Sequence, residues 1–208
     1  MIELFSSETP NSRKISIMLE EINFDYKVTK IDLSKGEQFN PEFKKISPFN
    51  KTPVIKDHET GKTIFESGAI LIYLGEKSGK FYNTKDRTEI NQWLMAQMGN
   101  VGPMIGQHHQ FHHFNPGKSK FGEDKFFEQA KRIYKDLEER LSNSKYLAGE
   151  EYSIADIATW PWISRHEWHD IGLKNYKYLS NWYVEISKRD AVIKGFDFFK
   201  NGSKIPRP

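Results

Sequence analysis

The segment "NKTPVI" at residues 50–55 combines a strand-like pair, Val54 and Ile55, with a proline at its start. Proline has no backbone N–H and removes a hydrogen bond from a strand ladder, so it is normally confined to edges, strand starts and bulges. Pro53 therefore indicates a specialised backbone position. The alternative is an ordinary trans proline that opens an edge strand.

The residues before this segment predict two strands and two helices. A strand is expected at 2–5, a second strand within 25–32, and at most a short helix at 40–47. Thr9 is a favourable N-cap and Pro10 suits the first helical position, so a long helix is expected to begin there. Its apolar stripe has helical spacing and consists of Ile15, Met18, Leu19 and Ile22.

The residues after it predict a hairpin and a helix. Strand-like segments flank a glycine-containing loop at 58–62, which is typical of a β-hairpin. An apolar helix is expected over 67–79, ending near Gly79. The order β-α-β-α-β-β-α describes a small mixed sheet covered by helices.

Beyond residue 83 only helical patterns remain. The stretch 122–142 has a core stripe made of Phe126, Ala130, Ile133, Tyr134, Leu137 and Leu141. The stretch 152–163 is apolar almost all round, which is typical of a central helix, and Ser153 with Asp156 forms a variant capping box at its start. The sequence therefore predicts an α/β domain at residues 1–83 and an all-α domain at 88–208.

Composition and charge restrict the classes of partner and chemistry that are expected for this chain. The net charge of +3 comes from interspersed charges with no basic stripe, which argues against a nucleic-acid partner. No apolar run approaches the ~20 residues of a membrane span, and the N-terminus shows no secretory pattern, so a cytoplasmic protein without a membrane partner is expected. The chain has no cysteine, so any thiol chemistry must use a thiol supplied by a ligand.

Glu66 and Ser67 stand where the helix at 67–79 begins. Free N–H groups at a helix N-terminus attract a carboxylate, Ser67 adds a hydroxyl donor, and the Glu66 carboxylate can pair with an ammonium group. A ligand with an α-amino acid end would satisfy both residues. The alternative is that they only cap the helix.

The domain order, with a proline opening the third strand, resembles the thioredoxin fold, in which that proline is cis. Five segments together resemble the glutathione transferase family, and within it the bacterial nu class of glutathione-dependent disulfide-bond reductases. These segments are "TPNSRKISIMLEE" (9–21), "KGEQFNPEFKKISPFNKTPVI" (35–55), "FESGAILIYLGEK" (65–77), "GPMIGQ" (102–107) and "YSIADIATWPWI" (152–163).

The resemblance implies that glutathione is the ligand and that no metal is needed. It places the γ-glutamyl end at Glu66 and Ser67, the cysteinyl backbone at Thr52 beside Pro53, and the glycine end near Gln38. Thr9 and Asn11 stand where other classes keep a catalytic Tyr, Ser or Cys. Arg132 matches a basic residue near the thiol in relatives that hold two glutathiones or their disulfide. A homodimer is also implied.

Simpler roles remain open for three of these residues. Thr9 would serve as an N-cap even without a sulfur contact, and Asn11 would fit as an ordinary first-turn residue. Arg132 follows Glu128 by four positions, which also suits an exposed ion pair on a helix.

The expected activity is reduction of small disulfides by bound glutathione, with weak transferase or peroxidase activity. Hydrogen bonds from Thr9 or Asn11 to the sulfur would favour a thiolate over a thiol that titrates near ~8.5. One enzyme alternative is a conventional transferase that joins glutathione to electrophiles. Another alternative is a non-catalytic binding protein of the same fold.

The segment "GQHHQFHHF" (106–114) pairs His108 with His112 and His109 with His113 at helical spacing. A metal site needs further ligands, and none lies close by in the sequence. A wall of the second-substrate pocket is the favoured interpretation. Trp160, Trp162 and Trp168 are expected in the core.

Overall fold

The computed structural model describes residues 1–208 and contains one four-stranded sheet. Its strands, in the spatial order β2-β1-β3-β4, are β1 Ile2–Ser6, β2 Tyr26–Lys30, β3 Val54–Asp57 and β4 Thr63–Phe65. β1 pairs with β2 in parallel and with β3 antiparallel, and β3 pairs with β4 antiparallel. The predicted mixed sheet and hairpin are confirmed.

The helices are α1 Pro10–Ile22, α2 Pro41–Ile46, α3 Ser67–Ser78, α4 Arg87–Ala96, α5 Gly102–His108, α6 Lys120–Ser142, α7 Ile154–Ile163, α8 Lys177–Ser187 and α9 Asp190–Phe196. Two π-helical segments, Gln97–Val101 and His109–Phe114, adjoin α5. No helix is long and apolar enough to cross a bilayer.

The chain forms two compact units. The first contains Met1–Lys80 together with Arg189–Lys204, and the second contains Phe81–Lys188 with Ile205–Pro208. The segment that carries α9 therefore belongs to the unit that contains the sheet, although it lies near the C-terminus. The domain limits 1–83 and 88–208 stay a prediction.

The contact between α1 and α9 completes the first unit. Ser16 Oγ donates to the Gly195 carbonyl at 2.6 Å, and Arg13 Nε donates to the Phe196 carbonyl at 3.2 Å. The Arg13 guanidinium also lies 3.8 Å from the centre of the Phe196 ring, which adds a cation–π contact. These contacts hold the buried α1 helix against α9, which lies about 180 residues later in the chain.

Gly195→Ala is expected to destabilise the protein by about 1–3 kcal/mol, because an added Cβ would overpack the α1–α9 contact. That Cβ would lie 2.6 Å from Ile17 Cα and 2.7 Å from Ile17 N, and backbone cannot move aside as a flexible side chain can. The free energy of unfolding in urea measures the effect.

Gly99→Ala is the matched control. A Cβ at Gly99 meets no atom within 4 Å, so only the helix preference of alanine remains, a gain of up to about 1 kcal/mol. Equal stabilities of the two variants would contradict the described packing of α9 on α1.

The second unit is organised around α7. All ten residues of α7 are buried, and Ser153 and Asp156 form the predicted capping box. The Asp156 carboxylate also accepts hydrogen bonds from Leu147 N at 3.0 Å and Trp182 Nε1 at 2.9 Å. The prediction of a central, apolar helix is therefore confirmed.

Two aromatic residues are less buried than predicted. Phe126 is half-buried and stacks on Phe111, because it lies at the edge of the α6 stripe. Trp168 is also half-buried and stacks on His113 with ring centroids 4.1 Å apart. Trp160 and Trp162 are buried as predicted.

Candidate functional site

The strand register brings three predicted site segments to one edge of the sheet. Phe5 at the end of β1 pairs with Val54 at the start of β3, and Val54 pairs with Phe65 at the end of β4. The residues just beyond these pairs, including Pro53 and Glu66, therefore emerge at the same edge. β2 also ends there, since Ser6 pairs with Lys30 in parallel.

The N-terminus of α1 begins at this edge. Thr9 Oγ1 accepts from Ser12 N at 3.2 Å and donates to Ser12 Oγ at 3.0 Å, so Thr9 is the N-cap of α1. Asn11 is half-buried in the first turn. The capping role of Thr9 is confirmed, and the contacts of Thr9 and Asn11 with a ligand sulfur stay predictions.

The Thr52–Pro53 peptide bond is cis, as the resemblance to the thioredoxin fold implies, so the trans alternative is wrong. β3 begins at Val54, which places Pro53 just before the strand ladder, where a missing N–H costs no ladder bond. The Thr52 side chain is tied to the β1–α1 loop, because Ser7 Oγ and Thr52 Oγ1 are hydrogen-bonded at 2.6 Å.

Glu66 and Ser67 open α3 with different environments. Glu66 is the N-cap residue of α3, where its carbonyl accepts from Ile70 N at 2.9 Å. It is exposed, has a positive φ of 69°, and makes no capping bond through its side chain. Ser67 is only 5% exposed, and its Oγ accepts a hydrogen bond from Lys14 Nζ at 3.3 Å. The Glu66 side chain is thus exposed to solvent, whereas the Ser67 side chain is buried and hydrogen-bonded to Lys14.

Gln38 follows β2 in the short 3-10 helix Glu37–Phe39 and is half-buried. Its Oε1 atom is buried and has no hydrogen-bond partner within the protein. Gln38 belongs to a segment that leaves the sheet at the same edge as the other site segments. Its role in binding the glycine end of a ligand stays a prediction.

Arg132 belongs to the second unit, where it is exposed on α6. Glu128 pairs with Lys131 at 2.5 Å, so the expected alternative of a Glu128–Arg132 pair is wrong. The role of Arg132 in glutathione binding stays a prediction from the resemblance.

Sequence reasoning missed Lys14, Ser7 and Ser12. Lys14 is 1% exposed, although lysine is almost never fully buried without a partner. One signal was present, because Lys14 lies four residues before Met18 and so borders the apolar face of α1. Ser7 and Ser12 carry no comparable signal, since serine is equally common in turns and first helical turns.

The histidine segment forms part of the interior of the second unit. His108 and His109 are buried, so the interpretation of these two side chains as a pocket wall is not supported. His169 joins them: its Nε2 lies 2.9 Å from His109 Nε2, its Nδ1 lies 2.6 Å from Tyr134 OH, and its carbonyl lies 2.9 Å from His108 Nε2. The structure has no group of three or more His, Cys, Asp or Glu side chains arranged to hold a metal ion.

Burial makes this cluster sensitive to acid. It lowers the pKa of His109 to about 3 and the pKa values of His108 and His169 below their usual range. Between pH ~6.5 and these depressed values the unfolded chain binds more protons, so the free energy of unfolding falls as the pH falls. Burial raises the pKa of Asp156 to about 6, which opposes this trend in part of the same range.

His109→Gln is expected to reduce the loss of stability between pH ~6.5 and ~5 by about 1–2 kcal/mol, because one titrating group is removed. Glutamine keeps an acceptor for His169, and the Asp156 contribution is common to both proteins. Urea unfolding at the two pH values measures the difference. His113→Gln changes an exposed histidine of the same segment and serves as the control. If the free energy of unfolding of His109→Gln had the same pH dependence as that of wild type, protonation of His109 would not be the cause of the acid sensitivity.

Comparison with known proteins agrees with the fold. Two family models match the chain, Glutathione S-transferase, N-terminal domain over residues 2–76 and Glutathione S-transferase, C-terminal domain over residues 94–190. Disulfide-bond oxidoreductase YfcG of Escherichia coli (strain K12) is 45% identical over 92% of this chain and 93% of its own length. The chain belongs to the glutathione S-transferase family.

Other members of the family are also similar over most of the chain. Disulfide-bond oxidoreductase YghU of the same E. coli strain is 35% identical, with 93% of this chain and 73% of that protein covered. A glutathione transferase from Burkholderia graminis, solved with two glutathione molecules per subunit, has a TM-score of 0.90 and 36% identity over 97% of this chain and 89% of its own. A Pseudomonas putida glutathione transferase, solved with one glutathione disulfide per subunit, has a TM-score of 0.88 and 38% identity over 94% of this chain and 90% of its own.

Proposed function

We propose that the protein reduces small disulfides with thiols supplied by bound glutathione. The observation that carries this proposal is a chain without cysteine whose relatives include named disulfide-bond oxidoreductases. A cysteine-free protein cannot form a mixed disulfide through its own side chains, so glutathione is both the ligand and the reductant. In this proposal glutathione is a substrate that is consumed.

The residues at the sheet edge supply groups for each part of glutathione. Ser67 and the first N–H groups of α3 suit the γ-glutamyl carboxylate, and the exposed Glu66 suits its ammonium group. The Thr52 backbone suits pairing with the cysteinyl unit, in the manner of an added strand. Gln38 is proposed to bind the glycine end of glutathione, and Arg132 is proposed as a further glutathione-binding residue.

Thr9 and Asn11 are proposed to act at the sulfur. Donors and the positive end of a helix dipole stabilise a thiolate relative to a thiol. The Thr9 hydroxyl donates its one hydrogen to Ser12 Oγ. The Asn11 amide has two N–H groups, so it can donate to a sulfur as well as interact within the protein. The larger share of thiolate stabilisation is therefore assigned to Asn11.

The reaction proceeds by thiol–disulfide exchange. A glutathione thiolate attacks one sulfur of the substrate disulfide, forms a mixed disulfide and releases a substrate thiolate. A second glutathione thiolate attacks the glutathione sulfur of that mixed disulfide, which releases the second substrate thiolate and leaves oxidised glutathione. Two glutathione thiols are oxidised, one disulfide is reduced, and the two protons pass to the released thiolates.

A cytoplasmic homodimer is proposed as the working form. The cytosol is the compartment in which glutathione is kept reduced, as this reaction requires. The homodimer rests on the family resemblance, and the first unit exposes two aromatic side chains, Phe49 and Phe65, with ring centroids 6.5 Å apart. Sedimentation equilibrium would distinguish a dimer from a monomer.

The proposed function is tested by coupling turnover of a small uncharged disulfide to NADPH oxidation through glutathione reductase. Protein-dependent turnover that saturates with glutathione is the expected result. Glutathione binding by calorimetry without disulfide turnover, but with conjugation of an aromatic electrophile, would identify a conventional transferase. Failure to bind glutathione would overturn the enzyme proposal in favour of a binding protein.

A further inference from the structure

Ser7 and Thr52 are joined by a side-chain hydrogen bond beyond the last backbone pair of β1 and β3. Phe5 pairs with Val54 at the end of this antiparallel ladder. The same register, continued by two residues, places Ser7 opposite Thr52, at a separation where side chains interact. Pro53, between Thr52 and Val54, has no N–H for a further ladder bond. The contact of 2.6 Å between Ser7 Oγ and Thr52 Oγ1 therefore links the two segments where the backbone ladder has ended.

Ser7 is also bonded to the start of α1. Its carbonyl accepts from Thr9 N at 2.7 Å, and its N–H donates to Ser12 Oγ at 3.4 Å. Ser12 Oγ in turn accepts from the Thr9 hydroxyl at 3.0 Å. Ser7 thus makes backbone bonds to the first turn of α1 and a side-chain bond to Thr52. A movement of the Thr52 loop is therefore coupled to the turn that carries Thr9 and Asn11.

The bond between Ser7 and Thr52 is largely shielded from water. Ser7 is 6% exposed, and Thr52 is half-buried. A buried hydroxyl that loses its hydrogen bond cannot replace it with one to water, so the two side chains keep each other in place more firmly than an exposed pair would. The pair therefore restricts the relative position of the β1–α1 loop and the loop before β3.

The two loops have different tasks in the proposed site. The Thr52 backbone is proposed to pair with the cysteinyl unit of glutathione, and Thr9 and Asn11 are proposed to act at its sulfur. Both contacts concern one residue of the ligand, so the backbone anchor and the sulfur donors must keep a fixed separation. Because hydrogen bonds weaken steeply when they are misaligned, a loosened Thr52 loop would reduce stabilisation of the thiolate.

We propose that Ser7 is a positioning residue for thiolate formation. Through its bond to Thr52 it fixes the backbone that holds the cysteinyl unit relative to the donors at the start of α1. The inference rests on the proposed function, since the anion concerned is the thiolate of bound glutathione. Ser7 acts through Thr52 and through the first turn of α1.

The test is a pH titration of the thiolate absorbance of bound glutathione, at saturating ligand, for wild type, Ser7→Ala and Thr52→Val. Each variant removes one hydroxyl of the pair, and valine has nearly the shape of threonine. The midpoint of each variant is expected to lie about 0.5–1 pH unit higher, a three- to tenfold weaker stabilisation of the thiolate, which is the size of effect of one neutral hydrogen bond. Ser7→Thr keeps the hydroxyl and is expected to retain the wild-type midpoint.

Two further variants define the origin of the shift. The double variant Ser7→Ala/Thr52→Val is expected to match either single variant, because changes to the two partners of one contact are not additive. Ser34→Ala is the control, since it removes an exposed hydroxyl of the same unit that donates to Asp32 Oδ1, and its midpoint is expected to equal that of wild type. Thermal melting identifies a single variant that fails to fold, and the other single variant then carries the test.

The outcomes separate this inference from the function on which it rests. A loss of thermal stability with an unchanged midpoint would make the contact a structural one and overturn the inference, while thiolate formation by wild type would stand. A higher midpoint in Ser7→Ala but not in Thr52→Val would also overturn it, because Ser7 would then act on α1 alone. If wild type bound no glutathione, or bound it without a thiolate signal, the proposed function would fail and this inference with it. Equal shifts in both single variants and the double variant support the inference.

Discussion

Asn11→Ala is expected to lower kcat for disulfide reduction about 10²-fold, the usual effect of removing one preorganised donor from a developing or stabilised anion. Asn11 is half-buried in the first turn of α1, close in sequence to the Thr9 cap. Its amide adds to the positive end of the α1 dipole, and without it the bound thiol is protonated more often at neutral pH. The coupled assay with saturating glutathione measures the effect.

Asn11→Asp makes this prediction sharper. Aspartate has nearly the same shape as asparagine but replaces the amide donors with a negative charge, which disfavours a neighbouring thiolate. Its activity is therefore expected to fall below that of Asn11→Ala. Asn143→Ala, at an exposed position after α6, is the control. Full activity of Asn11→Asp would contradict the assignment of Asn11 to the sulfur.

Asp156→Ala is expected to destabilise the protein by about 3–5 kcal/mol, because several buried donors lose their acceptor at once and each unsatisfied donor costs about 1–3 kcal/mol. The carboxylate accepts from Leu147 N, Ser153 N and Oγ, and Trp182 Nε1, and all of these bonds are buried. Alanine would leave buried donors without an acceptor and remove the capping box of α7. Urea unfolding followed by tryptophan fluorescence measures the loss.

Asp124→Ala provides the comparison within the second unit. Asp124 is exposed on α6 and pairs with Lys120, and solvent screens an exposed pair of this kind so that it contributes little to stability. The two aspartate variants are thus expected to differ by several kcal/mol in their free energies of unfolding. A loss for Asp156→Ala as small as that for Asp124→Ala would show that the carboxylate does not hold α7 in place.

Local patterns were sufficient to predict most of the fold. Thr9-Pro10 and the apolar spacing that follows determine where α1 begins, and Ser153 with Asp156 determines where α7 begins. The packing of α9 on α1 was not predictable in this way. It depends on a glycine, Gly195, that fits against the Ile17 backbone, and no local pattern links residues so distant in the chain.

The sequence was sufficient to predict which segments form the site. It was not sufficient to predict the side-chain contacts that support them. The positions of Asn11, Thr52 and Ser67 were proposed from motifs that resemble a known family. Lys14 was missed because a lysine in a helix normally indicates a solvated face. The burial of His108 and His109 was not foreseen, because their hydrogen-bond partner, His169, lies about sixty residues away and because the helix changes to a π-helix at His109.

The proposed mechanism requires the protein to ionise the thiol of bound glutathione, because the chain has no cysteine to supply a thiolate. Ultraviolet difference absorbance, recorded as glutathione is titrated into the protein, reports thiolate formation directly. A saturable thiolate signal is expected at neutral pH, well below the pKa of ~8.5 of a free thiol, and a much smaller signal is expected with Asn11→Ala. Saturable binding of glutathione by calorimetry with no thiolate signal would contradict the proposed mechanism.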